Sequence, residues 1–372
     1  MDKAFREKAE EFVSRLPYKQ SPYGNRNWGH PWHSLCSYHG KLKPAIAHWL
    51  IYEFTSESDV VLDPLCGVGT IPFEACLQGR IGIGNDLSEL AYVVTKAKLE
   101  KPNYSGAQKV ICQLDEYIKK NKNFRSITEY EDFGFNGKLP QYFECETYKE
   151  ILCARDFFLN RLPSVSAEEA MVFSALLHVL HGNRPYALSR RSHPLTPYAP
   201  TGDFEYKSVI DKIVQKVNTS YAKLGQIEVT QGSAIYGNYR DLTEKSIKAD
   251  FVICSPPFAD SIRFYMQNWM RLWLCGWEPK DYKEADEKFL DKSQEKNFDL
   301  YYSFFEMCHD VLNDNGKIIL HLGKTKNIDM GVELSKRAEP WFDIVYFAGE
   351  DVSTIEKHGD VYKRQTNRYW WT

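Results

Sequence analysis

What this 372-residue sequence lacks narrows its class. No run approaches the roughly 18 consecutive apolar residues of a membrane-spanning helix, so no spanning segment is predicted. The opening stretch MDKAFREKAEEFVSRL is charged throughout and holds no apolar signal core. Nine cysteines stand singly between Cys36 and Cys308 with no CxxC pair. That spacing offers neither a zinc site nor a disulfide framework, so no metal is expected and a reducing, cytoplasmic setting fits. Internal repeats and low-complexity tracts are also missing. Nor does charge of one sign dominate: 47 basic and 50 acidic residues leave a net −3, which neither favours nor opposes a polyanionic partner.

What is present is uneven. Aromatics make up 14% of the chain, 23 of them Tyr, a residue suited to wet surfaces that stack flat ligands. Residues 1–50 hold eight Lys/Arg against four Asp/Glu, and residues 183–226 hold seven against three. Such local excess can supply phosphate contacts, with a solvated face as the competing reading.

Residues 2–16 carry Phe5, Ala9, Phe12, Val13 and Leu16 at helical spacing, which predicts an amphipathic helix. A Pro/Gly/Asn-rich irregular stretch covers 21–34, and 43–54 is helical in pattern. The chain then alternates: strand 60–63, glycine-containing turn, helix 71–78, strand 81–86, helix 90–99. This is the rhythm of a parallel, doubly wound α/β sheet. Residues from 103 to about 225 break it, with helical stretches at 148–162 and 167–181. Alternation returns in strands 227–233, 251–258 and 317–323, helix 301–312 and a late strand at 342–347. An interruption of about 120 residues exceeds any ordinary connection. One α/β domain is therefore expected from 1–102 and 227–372, with 103–226 inserted as a largely helical region.

Two constellations carry chemistry. The first is DPLCGVGT (63–70), following a strand, with Asp86 closing the next strand. Gly67 and Gly69 permit a tight turn and close backbone approach to a ligand. Thr70 opens a helix whose free N–H groups favour a carboxylate or other anion. An acid at the end of the second strand stands where α/β nucleoside-binding folds hold a ribose diol. The second is SPPF (255–258), again after an apolar strand. Consecutive prolines make a stiff backbone without N–H donors and leave carbonyls free as acceptors. An aromatic-ring amine is a poor nucleophile because its lone pair is delocalised. With the Ser255 hydroxyl and Pro256 carbonyl engaging its hydrogens, the nitrogen can pyramidalise towards an electrophilic methyl. Phe258 can stack on the base and lie near a sulfonium.

Together DPLCGVGT, GNDLSELAY (84–92), SPPF and YHGKLKPAIAHWLI (38–51) resemble the DNA amino-methyltransferases, which modify exocyclic amines. The resemblance covers roughly 36–102 and 227–350. It implies a Rossmann-like S-adenosylmethionine-dependent methyltransferase fold with a mostly parallel sheet. It further implies cofactor contacts from Lys41, Asp63, Pro64, Cys66, Gly67, Gly69, Thr70, Asp86 and Leu87, and a catalytic tetrapeptide Ser255, Pro256, Pro257 and Phe258. SPPF is similar to the tetrapeptide of cytosine-N4 enzymes, whereas adenine enzymes usually begin it with Asp or Asn. The order cofactor half, recognition region, catalytic half is that of the class called alpha. Ser233 departs from the family, which often carries an Asp there near the adenine ring of the cofactor.

Within the insertion, Arg184, Arg190, Arg191 and Tyr198 are expected to face DNA, since Arg forks onto guanine or phosphate. An irregular structural loop is the rival. His178, His181 and His193 lack the acid or Cys that would complete a metal site, so a packing role is expected. Cys254 precedes SPPF, but no Pro-Cys pair occurs, which argues for direct transfer over a covalent cytosine intermediate. The charge-rich stretch 277–298 reads as a solvated connection or a lid, and the tail 357–372 as packed rings or a nucleic-acid edge. The expected activity is methyl transfer to a base flipped from double-stranded DNA, most simply cytosine N4 in a short sequence. Restriction-modification, with a cognate endonuclease acting on the same site, is the setting the resemblance implies. Adenine-N6 methylation, an RNA amino-methyltransferase and a catalytically silent DNA-binding subunit are the alternatives.

Overall fold

The computed structural model describes residues 3–25, 27–224, 228–259, 264–325, 327–351 and 364–371, with Asp351 and the last segment described by backbone alone. In chain order the first half comprises α1 (Lys3–Arg15), α2 (Pro44–Phe54), β1 (Val60–Asp63), α3 (Thr70–Leu77), β2 (Ile81–Asp86) and α4 (Glu89–Leu99). The insertion holds α5 (Tyr104–Asn121), α6 (Cys145–Leu159), α7 (Ala167–Val179) and α8 (Val209–Ala222). The second half holds β3 (Ser233–Tyr236), β4 (Ala249–Cys254), α9 (Phe264–Gln267), α10 (Trp269–Leu274), α11 (Pro279–Lys288) and α12 (Leu290–Lys296). It ends with α13 (Leu300–Val311), β5 (Leu312–Thr325), α14 (Met330–Ala338), β6 (Tyr346–Asp351) and β7 (Arg364–Trp371).

The strands form one sheet in the order β3-β2-β1-β4-β5-β7-β6. The first five pair in parallel, and β7 runs antiparallel between β5 and β6. The Rossmann-like α/β class expected from the sequence is therefore the class observed. Strand order reverses between β1 and β4, and in open α/β sheets ligands bind beyond the carboxyl ends of the strands at such a point. Both chemical motifs leave the sheet there, DPLCGVGT from β1 and SPPF from β4. Residues 190 positions apart become neighbours.

Side chains of the central strands alternate between two cores, as the two-residue period of a strand requires. Val61, Ile253 and Ile319 pack with Phe12, Ile46, Leu50 and Ile71 of α1–α3. Leu62, Val252, Ile318 and Leu320 face the other way, against Phe304, Phe305 and Cys308 of α13. A sheet covered on both faces by helices gives the near-continuous apolar strands seen in the sequence.

Several elements differ from the sequence expectation. Among the described residues the insertion has four α-helices where two helical stretches were expected. α5 starts on Asn103, whose side chain caps Gly106 N–H, and α8 on Ser208, whose side chain caps Asp211 N–H. The strand expected at 227–233 begins only at Ser233, and 228–232 carries no strand (residue 227 lies outside the described residues). β4 ends at Cys254 and not at 258, because Pro256 and Pro257 cannot donate to a ladder. The late strand is shifted to Tyr346–Asp351. The 277–298 connection folds into α11 and α12, and 364–371 of the tail becomes β7. No helix among the described residues is long and apolar enough to cross a membrane.

Candidate active site

The glycine turn is built around two carboxylates. Asp63 closes β1, is 3% exposed, and its Oδ1 accepts Leu65 N–H at 3.2 Å. Gly67 and Gly69 take φ of +51° and +67°, the left-handed region where a side chain would strain the backbone. A Cβ on Gly69 would also meet Thr95 Oγ1 at 2.7 Å. Thr95, from α4, donates to the Gly67 carbonyl at 3.1 Å and lies 3.6 Å from Cys66 Sγ. Asp86 Oδ2 accepts Gly67 N–H at 2.9 Å, and its Oδ1 accepts Ser88 N–H at 2.9 Å. The Pro64 carbonyl accepts from Asn85 Nδ2 at 3.0 Å. Thr70 is buried as the first residue of α3, and Leu87 is half-buried beside Asp86. Burial pushes both Asp63 and Asp86 up to about 7, against hydrogen bonds that favour their charged forms.

Cations border this turn. Lys98 of α4 is 1% exposed, and its Nζ donates to the Val68 carbonyl inside the turn. Burial, with a smaller contribution from the Lys41 charge, pulls its pKa down to about 7. Lys41 Nζ donates to the His33 carbonyl at 2.7 Å, and burial lowers its pKa as well. Tyr38 roofs the turn, with its Cε1 3.7 Å from where a Gly67 Cβ would lie. Desolvated lysines beside a glycine turn are a destabilising arrangement unless an anion comes to them. A glycine turn whose Gly67 is half-buried, a half-buried carboxylate at the β2 end and two ammonium groups fit a nucleoside that also bears a carboxylate.

SPPF is held from two sides. Ser255 Oγ lies 3.2 Å from Nδ1 of His321 on β5. The Phe258 ring centroid is 5.6 Å from that of His321, and a Cβ on Gly323 would sit 2.9 Å from Phe258 Cγ. β5 thus supplies both the hydrogen-bond partner of Ser255 and the cleared space for Phe258. From the other side Gln294 of α12 donates to the Pro257 carbonyl at 2.9 Å. Its amide oxygen accepts from Tyr301 OH at 2.9 Å, so the side chain is fixed at both ends. Among the described residues no donor reaches the Pro256 carbonyl, which leaves it able to accept from a ligand. Cys254 is fully buried, and burial keeps its thiol well above the ordinary range, with Asp63 accepting from it. A thiol held protonated and inaccessible is no nucleophile.

The four insertion residues divide. Arg184, Arg191 and Tyr198 are exposed, Tyr198 with its ring 5.3 Å from His193. Arg190 is engaged within the insertion: it donates to the Gly202 and Gln141 carbonyls and lies over Phe204 at 4.2 Å. That side chain clamps a loop. Lys98, Gln294 and His321 carry no motif spacing in the sequence, whereas Tyr38 opens the YHGKLKP stretch without having been singled out. Only His321, a lone polar residue inside the apolar run KIILHLG, leaves a visible trace.

Residues 31–122, which include Lys41, the glycine turn and Asp86, match the model of the RMKL-like, methyltransferase domain family. Over 80% of this chain and 72% of the relative, the sequence is 18% identical to the type II methyltransferase M.MjaII of Methanocaldococcus jannaschii. A stretch of 55 residues, 13% of this chain and 18% of the relative, is 42% identical to cyclopropane mycolic acid synthase 2 of Mycobacterium leprae. Among solved structures, TrmN from Thermus thermophilus is similar at 11% identity and a TM-score of 0.38, over 92% of this chain and 51% of that one. The chain therefore spans about half the length of that protein. The matched domain is that of a methyltransferase, and the site fits S-adenosylmethionine as its cofactor.

Proposed function

We propose that the chain transfers a methyl group from S-adenosylmethionine to the exocyclic amine of a base in DNA, with cytosine N4 the acceptor. The observation that carries this is the juxtaposition of the glycine turn with SPPF at the point where strand order reverses. Bound S-adenosylmethionine supplies an electrophilic methyl on a sulfonium. The chain does the rest. Gly67 and Gly69 admit the ligand to the backbone, Asp86 accepts from ribose hydroxyls, and Lys41 and Lys98 hold the amino-acid carboxylate. Ser255 Oγ and the Pro256 carbonyl accept hydrogen bonds from the amine and turn the nitrogen lone pair towards the methyl; as the N–C bond forms the S–C bond breaks, S-adenosylhomocysteine leaves, and one amine proton is released to solvent. His321 holds Ser255 Oγ and Gln294 holds the neighbouring Pro257 carbonyl, and Phe258 stacks on the base, which must leave the duplex to reach them. With Cys254 kept as a thiol, the transfer is direct.

Ser255 in the first position supports cytosine, and the likeness to a protein named a type II methyltransferase supports a short specific site in double-stranded DNA. A restriction endonuclease acting on the same site is the partner this reading proposes. The test is nucleoside analysis of DNA incubated with the chain and S-adenosylmethionine. N4-methylcytosine is expected, and Ser255→Ala should cut the rate tenfold to a thousandfold, as loss of one transition-state hydrogen bond does. N6-methyladenine would overturn the choice of base. Methylated RNA with unmodified DNA would overturn the choice of polymer.

A further inference from the structure

Ser255 Oγ has one hydrogen to give and two lone pairs to offer. Among the described residues one side chain hydrogen-bonds to it, His321 of β5, whose Nδ1 lies 3.2 Å away. Strand register brings the two together. Cys254 pairs with Leu320, and Ser255 and His321 follow directly along the two parallel chains. His321 is 2% exposed and interrupts the otherwise apolar run IILHLG (318–323). Burying an imidazole there is costly, and a neutral amide would hold the hydroxyl as well. The carboxyls around the site are engaged with other donors. Asp63 accepts from Leu65 N–H and the Cys254 thiol, and Asp86 from Gly67 N–H and Ser88 N–H. Asp291 accepts from Phe264 N–H at 2.9 Å. None of the three meets Ser255 among the described residues. The imidazole is the base in contact with the tetrapeptide's hydroxyl, and of the neutral acceptors it alone takes a proton readily near neutral pH.

We propose that His321, acting through Ser255, takes the proton that the amine gives up, so that the two side chains form a relay from the base to β5. This rests on the amine-methylation reading above and names the route by which its proton leaves. As the nitrogen lone pair forms the N–C bond, the electrons of the S–C bond pass to sulfur. An amine N–H bond breaks, its electrons stay on nitrogen, and its proton goes to Ser255 Oγ. The hydroxyl's own proton moves to His321 Nδ1. The positive charge that began on the sulfonium thus ends on the imidazolium. Once the product leaves, half-buried Ser255 returns the proton to solvent. The same arrangement selects the acceptor. With its hydrogen given to His321, Ser255 Oγ faces the ligand with lone pairs only. It accepts from the amine of cytosine or adenine and leaves the carbonyl of thymine or uracil without a donor.

The test compares the full wild-type chain with Ser255→Ala and with His321→Asn, whose side chain keeps an acceptor near the place of Nδ1 but takes no proton. Single-turnover methylation of long DNA of mixed sequence is measured in light and in heavy water. His321→Asn should lose at least about a hundredfold in rate, the low end of general-base assistance, with S-adenosylhomocysteine and DNA affinities unchanged. The wild-type rate should fall in heavy water, and that fall should vanish in both variants. Nitrogen NMR of the histidine-labelled chain, without cofactor, should place the His321 ring hydrogen on Nε2, with an Nδ1 signal that moves in Ser255→Ala. A ring hydrogen on Nδ1, or equal wild-type rates in light and heavy water, would overturn the relay. A slow His321→Asn that keeps the wild-type heavy-water ratio would also overturn it and leave His321 as packing for Phe258. Where His321→Asn does not fold, Ser255→Ala carries both the isotope and the NMR comparison. A wild-type chain that methylates no amine in DNA or RNA would sink the reading beneath the relay and the relay with it, whereas the other results sink the relay alone.

Discussion

Asp63 and Asp86 show what burial does to two carboxyls at the candidate site. Both titrate near 7, so between about 4 and about 7 the folded chain holds protons that the unfolded chain releases. Their contribution to stability is complete below that window and is lost as pH rises through it. His33, lowered to about 4 by burial, acts in the opposite direction, so the test must be differential. Asp86→Asn should gain melting temperature relative to wild type as pH goes from 5 to 7.5, read by thermal scans without cofactor. A pH-independent difference would mean that Asp86 is ionised throughout. Gly323 offers a second residue-level test. An alanine there meets Phe258 at 2.9 Å on a strand that cannot retreat, so the ring must move. Gly323→Ala should retain S-adenosylhomocysteine affinity and lose about tenfold to a hundredfold in methylation rate, since small misplacements at a reacting centre are costly. These residues differ in how far the sequence announces them. Gly67, Gly69, Asp86 and SPPF are legible because a strand–turn–helix constrains residue types locally. Gly323 and Gln294 acquire their roles only when β5 and α12 arrive beside SPPF.

At the level of elements, the strands and flanking helices of the first half are legible because two-residue and helical periodicities are strong there. α5 escapes although Ala107, Val110, Ile111, Leu114 and Ile118 form a helical stripe behind Asn103. β7 escapes because its place is set by pairing with β5 and β6 across the sheet. α12 was expected as part of a solvated or mobile connection, yet it buries Gln294 and Asp291. Asp291 accepts Phe264 N–H at 2.9 Å, which ties α9 to the same element. α12 is thus packed against SPPF through the Gln294–Pro257 hydrogen bond. Gln294→Leu keeps volume but removes the donor to Pro257 and leaves the buried Tyr301 hydroxyl unpaired. An unsatisfied buried group costs about 1–3 kcal/mol. Denaturant unfolding should show that loss, and initial rates should fall while S-adenosylhomocysteine affinity holds. Wild-type rates in this variant would mean that the Pro257 contact does not position the tetrapeptide.

Across the whole molecule, the boundary drawn at 103 and 226 marks the sequence rhythm but not the packing. One core runs from Val93 and Ala97 of α4 through Val110, Ile151 and Phe173 of the insertion to Trp269 and Trp273 of α10. Polar contacts cross the same seam. Arg155 of α6 donates to the Trp273 carbonyl at 2.8 Å and pairs with Glu278 at 2.7 Å, while Arg271 holds the Pro194 and Leu195 carbonyls. An independent domain needs its own core. Here the apolar faces of α6 and α7 are covered by Trp269, Trp273 and α4, which the excised segment would lack. Residues 103–226 expressed alone should therefore show no cooperative thermal transition. The full chain should unfold in a single step, with calorimetric and van't Hoff enthalpies in agreement. Two resolved transitions in the full chain, or a folded 103–226 fragment, would show that the insertion and the α/β part are separable bodies. A single transition carries a consequence for function. Any movement of the insertion then bears directly on α10 and the start of α11, through Arg155 and Arg271.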